Sequence, residues 1–236
     1  MRYLRFAIVA VAVAAALAPL PSTFIERQYS HGLYLTLQPF ITLASSLVPV
    51  ALLDVGVGLL VVSALIRLAR RWRKDGFGAA GRRAAVSSVV VAAVLYLWFL
   101  AFWGLNYRRV PLEQKLAYDR SRVTREHGLQ FGRLAVEQAN ALQASPGFSS
   151  GDQQALSYAF ASVESWLGAT KHALVAQPKR SLAMWYFRKA AIDGMTDPFF
   201  LEIIVNPDLL PFERPFVLAH EWALLAGYAD ESEANF

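Results

Sequence analysis

The residues whose types and spacing could do chemistry sit together near the end of the chain: His220, Glu221, Glu231 and Glu233. In an HExxH helix, two imidazoles at i and i+4 share one face and reach one zinc ion. The glutamate beside the first histidine contacts the metal-bound water as general base. A third protein ligand comes from a later turn, and one position stays open for water. Here His220 would be the first histidine and Glu221 the base, but position 224 is leucine. Spacing alone is a weak signal and favours a plain amphipathic helix whose polar edge holds His220 and Glu221. Glu231 and Glu233 would then form the acidic first turn of the next helix, favoured by its dipole.

These residues need a helix beneath them, and the pattern predicts one over about Phe212–Ala226, with Gly227 placed to end it. Upstream, apolar residues at helical spacing predict helices over about Leu112–Glu126, Leu129–Ala144 and Asp152–Ala169. The turn-rich Ser145–Gly151 lies between the last two, with Asp152 as an N-cap. Phe199–Val205 is aromatic and β-branched and is bounded by Pro198 and Asn206-Pro207, which reads as one short strand.

Before Tyr107 the pattern is different. Phe6–Ile25 holds no charged residue, and about 20 apolar residues suffice to cross a bilayer. It is either a retained membrane helix or a cleaved signal peptide started by Arg2 and Arg5. A second span is expected over Leu47–Ile66, with the apolar but Pro39-broken Leu33–Ser46 before it. A third, charge-free span covers Ala84–Tyr107 and ends in the aromatic run Tyr96–Trp103, suited to a membrane boundary. Asp54 lies in the second span. An ionisable group there is a functional candidate, although pairing, protonation or capping of a helix from Val55 would also account for it.

The net charge is +5, but residues 1–104 carry ten Lys/Arg against three Asp/Glu, and residues 105–236 carry thirteen against fifteen. The positive excess therefore lies among the spans, which fixes topology; nucleic-acid binding would put it on the folded domain. Arg67, Arg70, Arg71, Arg73, Lys74, Arg82 and Arg83 fill the loop between spans two and three. That loop and the N-terminus are expected in the cytoplasm, with residues 108–236 outside it. Arg108 and Arg109 run mildly against this assignment. The chain has no cysteine, which excludes disulfides and thiolate metal sites.

The terminal segment resembles a bacterial membrane family of unknown function that carries a zinc-peptidase helix, with the motif His-Glu-x-Ala-His-x-x-Gly followed by Glu-x-Glu-Ala-Asn. His220, Glu221, Ala223, Gly227, Glu231, Glu233, Ala234 and Asn235 stand in register with it. Trp103-Gly-Leu-Asn-Tyr-Arg108, Pro178-Lys179, Gly194–Glu202 and Leu210–His220 share the resemblance. It implies a zincin-like fold outside the membrane, with His220 as zinc ligand and Glu221 as base. Glu233, directly before Ala-Asn, is the third ligand and Glu231 the runner-up. The strand at Phe199–Val205 would border the cleft and take a peptide by strand addition. Leu224 departs from the pattern, and His31, His127 and His172 are not at ligand spacing. The end at Phe236, where the family continues, suggests a shortened form.

The expected fold is mainly α: three transmembrane helices over 1–107, then a zincin-like helical domain over 108–236 with a small β element. The location is the inner (plasma) membrane. Two functions stay open. One is a membrane-anchored zinc metallopeptidase, inactive in this form, with zinc weakly held or absent and a peptide or protein substrate outside the cytoplasm. The other is a non-catalytic membrane module that binds a partner or envelope component. The partners expected are the lipid bilayer and a peptide or protein outside the cytoplasm, and nucleic acid is not expected.

Overall fold

The computed structural model describes residues 2–116, 118–143 and 153–236. The fold is mainly helical, with one small three-stranded sheet. Helix α1 (Arg2–Leu17) stops where Pro19 and Pro21 remove backbone donors and restrict the residues before them. The chain then turns through α2 (Ser22–Phe24), a π-helical stretch (Ile25–Tyr34) and α3 (Leu35–Ser46). The two arms, Tyr3–Leu17 and Ser22–Ser46, are bent 106° from each other. The span expected over Phe6–Ile25 thus takes in most of the first arm and only the start of the second.

Helices α4 (Leu52–Asp75) and α5 (Phe77–Phe102) form an antiparallel hairpin about Gly76, whose φ of 78° suits glycine. Within them, Leu52–Lys74 and Gly78–Phe102 are long and apolar enough to cross a membrane; the bent pair adds a third only if counted as one span. Relative to the sequence expectation, the second span starts five residues later and the third starts and ends earlier. The basic residues expected in a loop lie instead on the last turns of α4 and the first turns of α5.

Beyond α5 the chain passes through a 3₁₀ turn at Gly104–Arg108 and shorter ones at Leu112–Gln114 and Arg120–Arg122. The helix expected over Leu112–Glu126 is absent. Pro111 and the Asp119 cap, whose carboxylate accepts from Ser121 N at 2.9 Å, favour tight local turns there. Helix α6 (Arg125–Gln143) begins four residues before the expected Leu129, and α7 covers Gln153–Trp166. The expected turn at Ser145–Gly151 and cap at Asp152 lie outside the described residues.

The remaining elements are β1 (Pro178–Lys179), α8 (Met184–Ala190), β2 (Gly194–Asp197), β3 (Glu202–Val205), α9 (Arg214–Leu225) and α10 (Glu231–Ala234). Sheet order is β1-β3-β2, with β3 parallel to β1 and antiparallel to β2. All four residues of β3 are buried. The strand expected over Phe199–Val205 is shorter and central, not a cleft edge: Asp197 accepts from Phe199 N and Phe200 N at 2.9 and 3.2 Å, folding those residues into the β2–β3 turn. The edge toward α9 is β2.

Polar side chains on the N-terminal segments bind this domain. Gln38, Thr42 and Ser45 share one buried face of α3. Gln38 clasps both backbone groups of Leu174 at 2.9 Å, and Thr42 donates to Leu201 O at 2.8 Å. Leu201 holds a positive φ of 48° in the turn that presents this carbonyl. Ile25, Tyr34 and Leu35 enter the same core as Trp103, Ile203, Trp222 and Leu225.

The start of α4 is tied to the sheet. Glu202 accepts from Leu53 N at 3.1 Å and pairs with buried Lys179 at 2.6 Å. Asp54, in the first turn of α4, accepts from Ser181 Oγ and Leu182 N at 2.9 and 2.6 Å. It is a paired carboxylate in a helix that starts at Leu52, not at Val55. At the same end of the hairpin, on α5, Trp98 Nε1 donates to Phe199 O at 3.1 Å. Both domain contacts thus lie at the end of the hairpin opposite the basic residues. Arg108, which ran against the charge rule, donates to the carbonyls of Ala15, Ala16 and Ala18 at 2.9–3.2 Å and so terminates α1.

Candidate functional site

Pro215 lies in the first turn of α9, where a missing N–H is harmless, and Gly227 ends it at a φ of 89°. A Cβ on Gly227 would come within 2.9 Å of the Asn106 side chain, so both space and conformation require glycine. The last carbonyls of α9 have no partner within the helix. Backbone N–H groups of Gly227 and Tyr228 meet Leu224 O and Ala223 O at 3.0 Å, and residues from far upstream add to them: Trp103 Nε1 donates to Leu224 O at 2.9 Å, and Tyr34 donates to Leu225 O. Arg109 donates to Gly227 O at 3.0 Å. Trp222, fully buried, donates to Ala176 O at 2.9 Å.

Val217, Leu218, Glu221, Trp222, Leu224 and Leu225 form the buried face of α9. Glu221 is therefore turned inward, onto β2. Thr196 Oγ1 lies 2.7 Å from one of its carboxylate oxygens and 3.0 Å from its carbonyl oxygen. Gly194 leaves the space that the Glu221 side chain fills, since a Cβ there would lie 2.9 Å from Glu221 Cγ and Cδ. Burial pushes the carboxyl up to about 7; the Thr196 hydrogen bond pulls down and the charge of Glu231 adds to the rise. A carboxyl so placed can accept or release a proton near neutral pH.

His220 lies at the edge of that face. Its Nδ1 is 3.0 Å from Asn235 Oδ1, and its Nε2 is 3.1 Å from a Glu231 carboxylate oxygen. Zinc bonds of about 2.0–2.2 Å in tetrahedral array put neighbouring donor atoms about 3.3–3.5 Å apart. The His220–Glu231 pair is close to that spacing, and the Asn235 contact orients the ring as an outer hydrogen bond does in metal sites. Glu233 is engaged elsewhere, with Oε1 accepting from Leu112 N at 2.6 Å. The structure thus brings His220 to Glu231, the runner-up, and gives Glu233 to the turn at Leu112. The other histidines are at separate places: His31 beside Glu26, His127 against Arg122 O, and His172 beside Glu164.

A third donor is what zinc lacks. Leu224, one turn after His220, is buried and apolar, and no group of three or more His, Cys, Asp or Glu side chains converges among the described residues. Among the described residues, His220 and Glu231 come together one protein donor short of the three that a zinc site takes. Beside His220 a cavity of about 260 Å³ opens between α7, α9 and α10, walled by Phe160, Phe216 and Tyr228.

Sequence reading missed several residues that shape this region. Gly194, Thr196 and Asn235 fell within the resembling segments without an assigned role. Glu26 stands beside Arg27 in the sequence with no role apparent from its neighbours. It is buried and accepts from Arg109 Nε and Nη2 at 2.9 and 2.8 Å, from Val110 N at 3.2 Å and from Lys115. The Arg109 guanidinium also lies 4.5 Å over the Tyr228 ring. An arginine on the wrong side for the charge rule was the available signal.

Fold and site define a mainly helical domain with a small sheet, joined to helices able to cross a membrane. The chain matches the family model described as "Protein of unknown function (DUF3810)" over residues 29–236, and it belongs to that family. No curated protein and no solved structure matches it.

Proposed function

We propose that this chain is a membrane-anchored, zincin-like module whose metal site is unfinished, so that it binds a peptide or protein segment without cleaving it. Leu224 carries the reading: it occupies the place of the second imidazole, one turn from a His220 that already meets Glu231 and Asn235. Glu221 beside β2 supports a zincin-like ancestry, because a buried carboxyl next to an edge strand is where a general base would face an added peptide. In this reading α1, α4 and α5 cross the inner membrane, the basic end of the hairpin is cytoplasmic, and the domain stands outside. The deciding measurement is the zinc-to-protein ratio after dialysis against a weak chelator. Wild type should retain little zinc, because losing an imidazole costs at least the 10–100-fold typical of lost outer partners. Leu224→His should take up zinc and gain a metal-dependent rise in Tm. Adding Glu231→Gln should abolish that gain, whereas Glu233→Gln should spare it. Stoichiometric zinc in wild type would restore the peptidase reading; no gain in Leu224→His would end the zincin reading altogether.

A further inference from the structure

The hairpin of α4 and α5 is open along its basic half. A groove of about 360 Å³ runs between the helices, floored by apolar residues such as Leu60, Leu68, Val91 and Leu95. Its charged end is formed by Arg67 and Arg71, facing Ser87 and Ser88 of α5. Arg71 Nη1 donates to Ser87 Oγ at 3.2 Å, and Arg67 Nε donates to Ser63 O at 3.0 Å. Each guanidinium has five N–H donors, so most remain to be met.

Depth decides what can meet them. The first turn of α4 is fixed to the domain through Leu53 N and Asp54. At 1.5 Å per residue, Arg67 lies about 23 Å and Arg71 about 29 Å along the helix from Leu52. The hydrocarbon core is about 30 Å thick. Arg71 therefore reaches the headgroup level of the far leaflet, and Arg67 lies just inside it, where an ionised side chain requires a polar partner. Topology alone does not account for this placement, because Arg73 and Lys74 supply positive charge at the same end without lining the groove.

We propose that this groove is a binding site for one anionic glycerophospholipid. Its phosphate is held by Arg67 and Arg71 with the Ser88 hydroxyl, the Ser87 hydroxyl being given to Arg83 O at 2.8 Å, and an acyl chain lies along Leu60, Val91 and Leu95. Guanidinium forks match phosphate oxygens, and basic pockets between membrane helices favour anionic headgroups. The apolar floor accounts for a lipid in preference to free phosphate.

The test uses the full chain in mild detergent, with native mass spectrometry after addition of phosphatidylglycerol or phosphatidylcholine. One phosphatidylglycerol should be retained against excess inorganic phosphate, and phosphatidylcholine should be lost. Arg67→Gln with Arg71→Gln should weaken retention about 30-fold, at roughly fivefold per charge. Arg73→Gln with Lys74→Gln should weaken it less than about threefold. Val91→Trp, which fills the groove without changing charge, should also weaken it, with unchanged Tm reporting that the hairpin is intact. Equal losses from the two charge pairs would overturn the site in favour of diffuse surface attraction. Equal retention of phosphatidylcholine, displacement by inorganic phosphate, or lipid-free dimers crosslinked through the groove would overturn it as well.

Discussion

Thr196 Oγ1 lies within hydrogen-bonding distance of both a carboxylate oxygen and the carbonyl oxygen of Glu221, at 2.7 and 3.0 Å. A hydroxyl has one proton, so it serves one of these acceptors at a time. The arrangement locks the only buried carboxylate of α9 onto β2, and the missing Cβ of Gly194 makes room for it.

Gly194→Ala should therefore force the Glu221 side chain off β2. Overpacking of this kind typically costs about 1–3 kcal/mol. Shortening the partner should relieve it, so Gly194→Ala with Glu221→Ala should be more stable than the two single losses combined. Thermal unfolding of the four proteins in detergent checks this; strict additivity would mean that the two positions do not touch.

Arg109 and Glu26 form a buried, two-point ion pair that joins the π-helical stretch to the segment after α5. Arg109→Ala leaves buried Glu26 with Lys115 and the His31 ring but without its two-point partner, and should cost about 3–5 kcal/mol. Arg109→Lys should recover only part of that, because an ammonium cannot reproduce the fork or the contact with Gly227 O. Glu26→Gln with Arg109→Met should lose less than the sum of its parts, read as a coupling energy in a double-mutant cycle.

Burial pushes Asp197 up to about 6, against the pull of the Phe199 N–H, with the Glu202 charge adding to the rise. An acid with a raised folded pKa favours the fold while protonated. That contribution is complete below about 4 and is lost as pH climbs through about 6, for a total of about 3 kcal/mol. Asp197→Asn should remove this dependence and gain stability above pH 6, less about 1 kcal/mol for the lost acceptor at Phe200 N. Glu221 has the same sign up to about pH 7, so the variant should keep a shallower decline. Tm measured from pH 4 to 8 in both proteins decides; parallel curves would mean Asp197 is not the group titrating.

How far the sequence reveals this arrangement depends on the range of the interactions involved. The apolar runs inside α4 and α5 are legible because a stretch near 20 residues with at most one charge has few alternatives. Their exact starts are not, because Glu202 and Asp54 set the start of α4 through contacts more than a hundred residues apart. The Gln38–Thr42–Ser45 stripe is present in the sequence, yet without its Leu174 and Leu201 partners nothing marks it out within an apolar segment broken by Pro39. Strands β1 and β2 have two and four residues, too few for an alternating pattern to stand out. In the site, His220 and Glu221 are readable from local spacing. The choice between Glu231 and Glu233 is not, because it depends on Leu112 N taking the latter.

The hairpin geometry also bears on which side of the membrane the domain occupies. Glu202, Ser181 and Phe199 of the domain grip one end of the hairpin, and Arg67–Arg83 lies toward the other. A membrane crossed by α4 and α5 thus separates the domain from the basic turn, whichever way the protein inserts. The proposed topology, which follows the positive-inside rule, has the basic turn in the cytoplasm. The chain has no cysteine, so single probes report without background. Gly78→Cys lies by the basic turn, and Asp208→Cys lies on the domain, where its Arg188 contact is exposed and cheap to lose. In intact cells an impermeant thiol reagent should label Asp208→Cys alone, and permeabilisation should add Gly78→Cys. Labelling of Gly78→Cys alone would invert the topology while leaving the fold intact. Labelling of both in intact cells would mean that the hairpin does not cross the membrane, and the lipid site between α4 and α5 would fall with it.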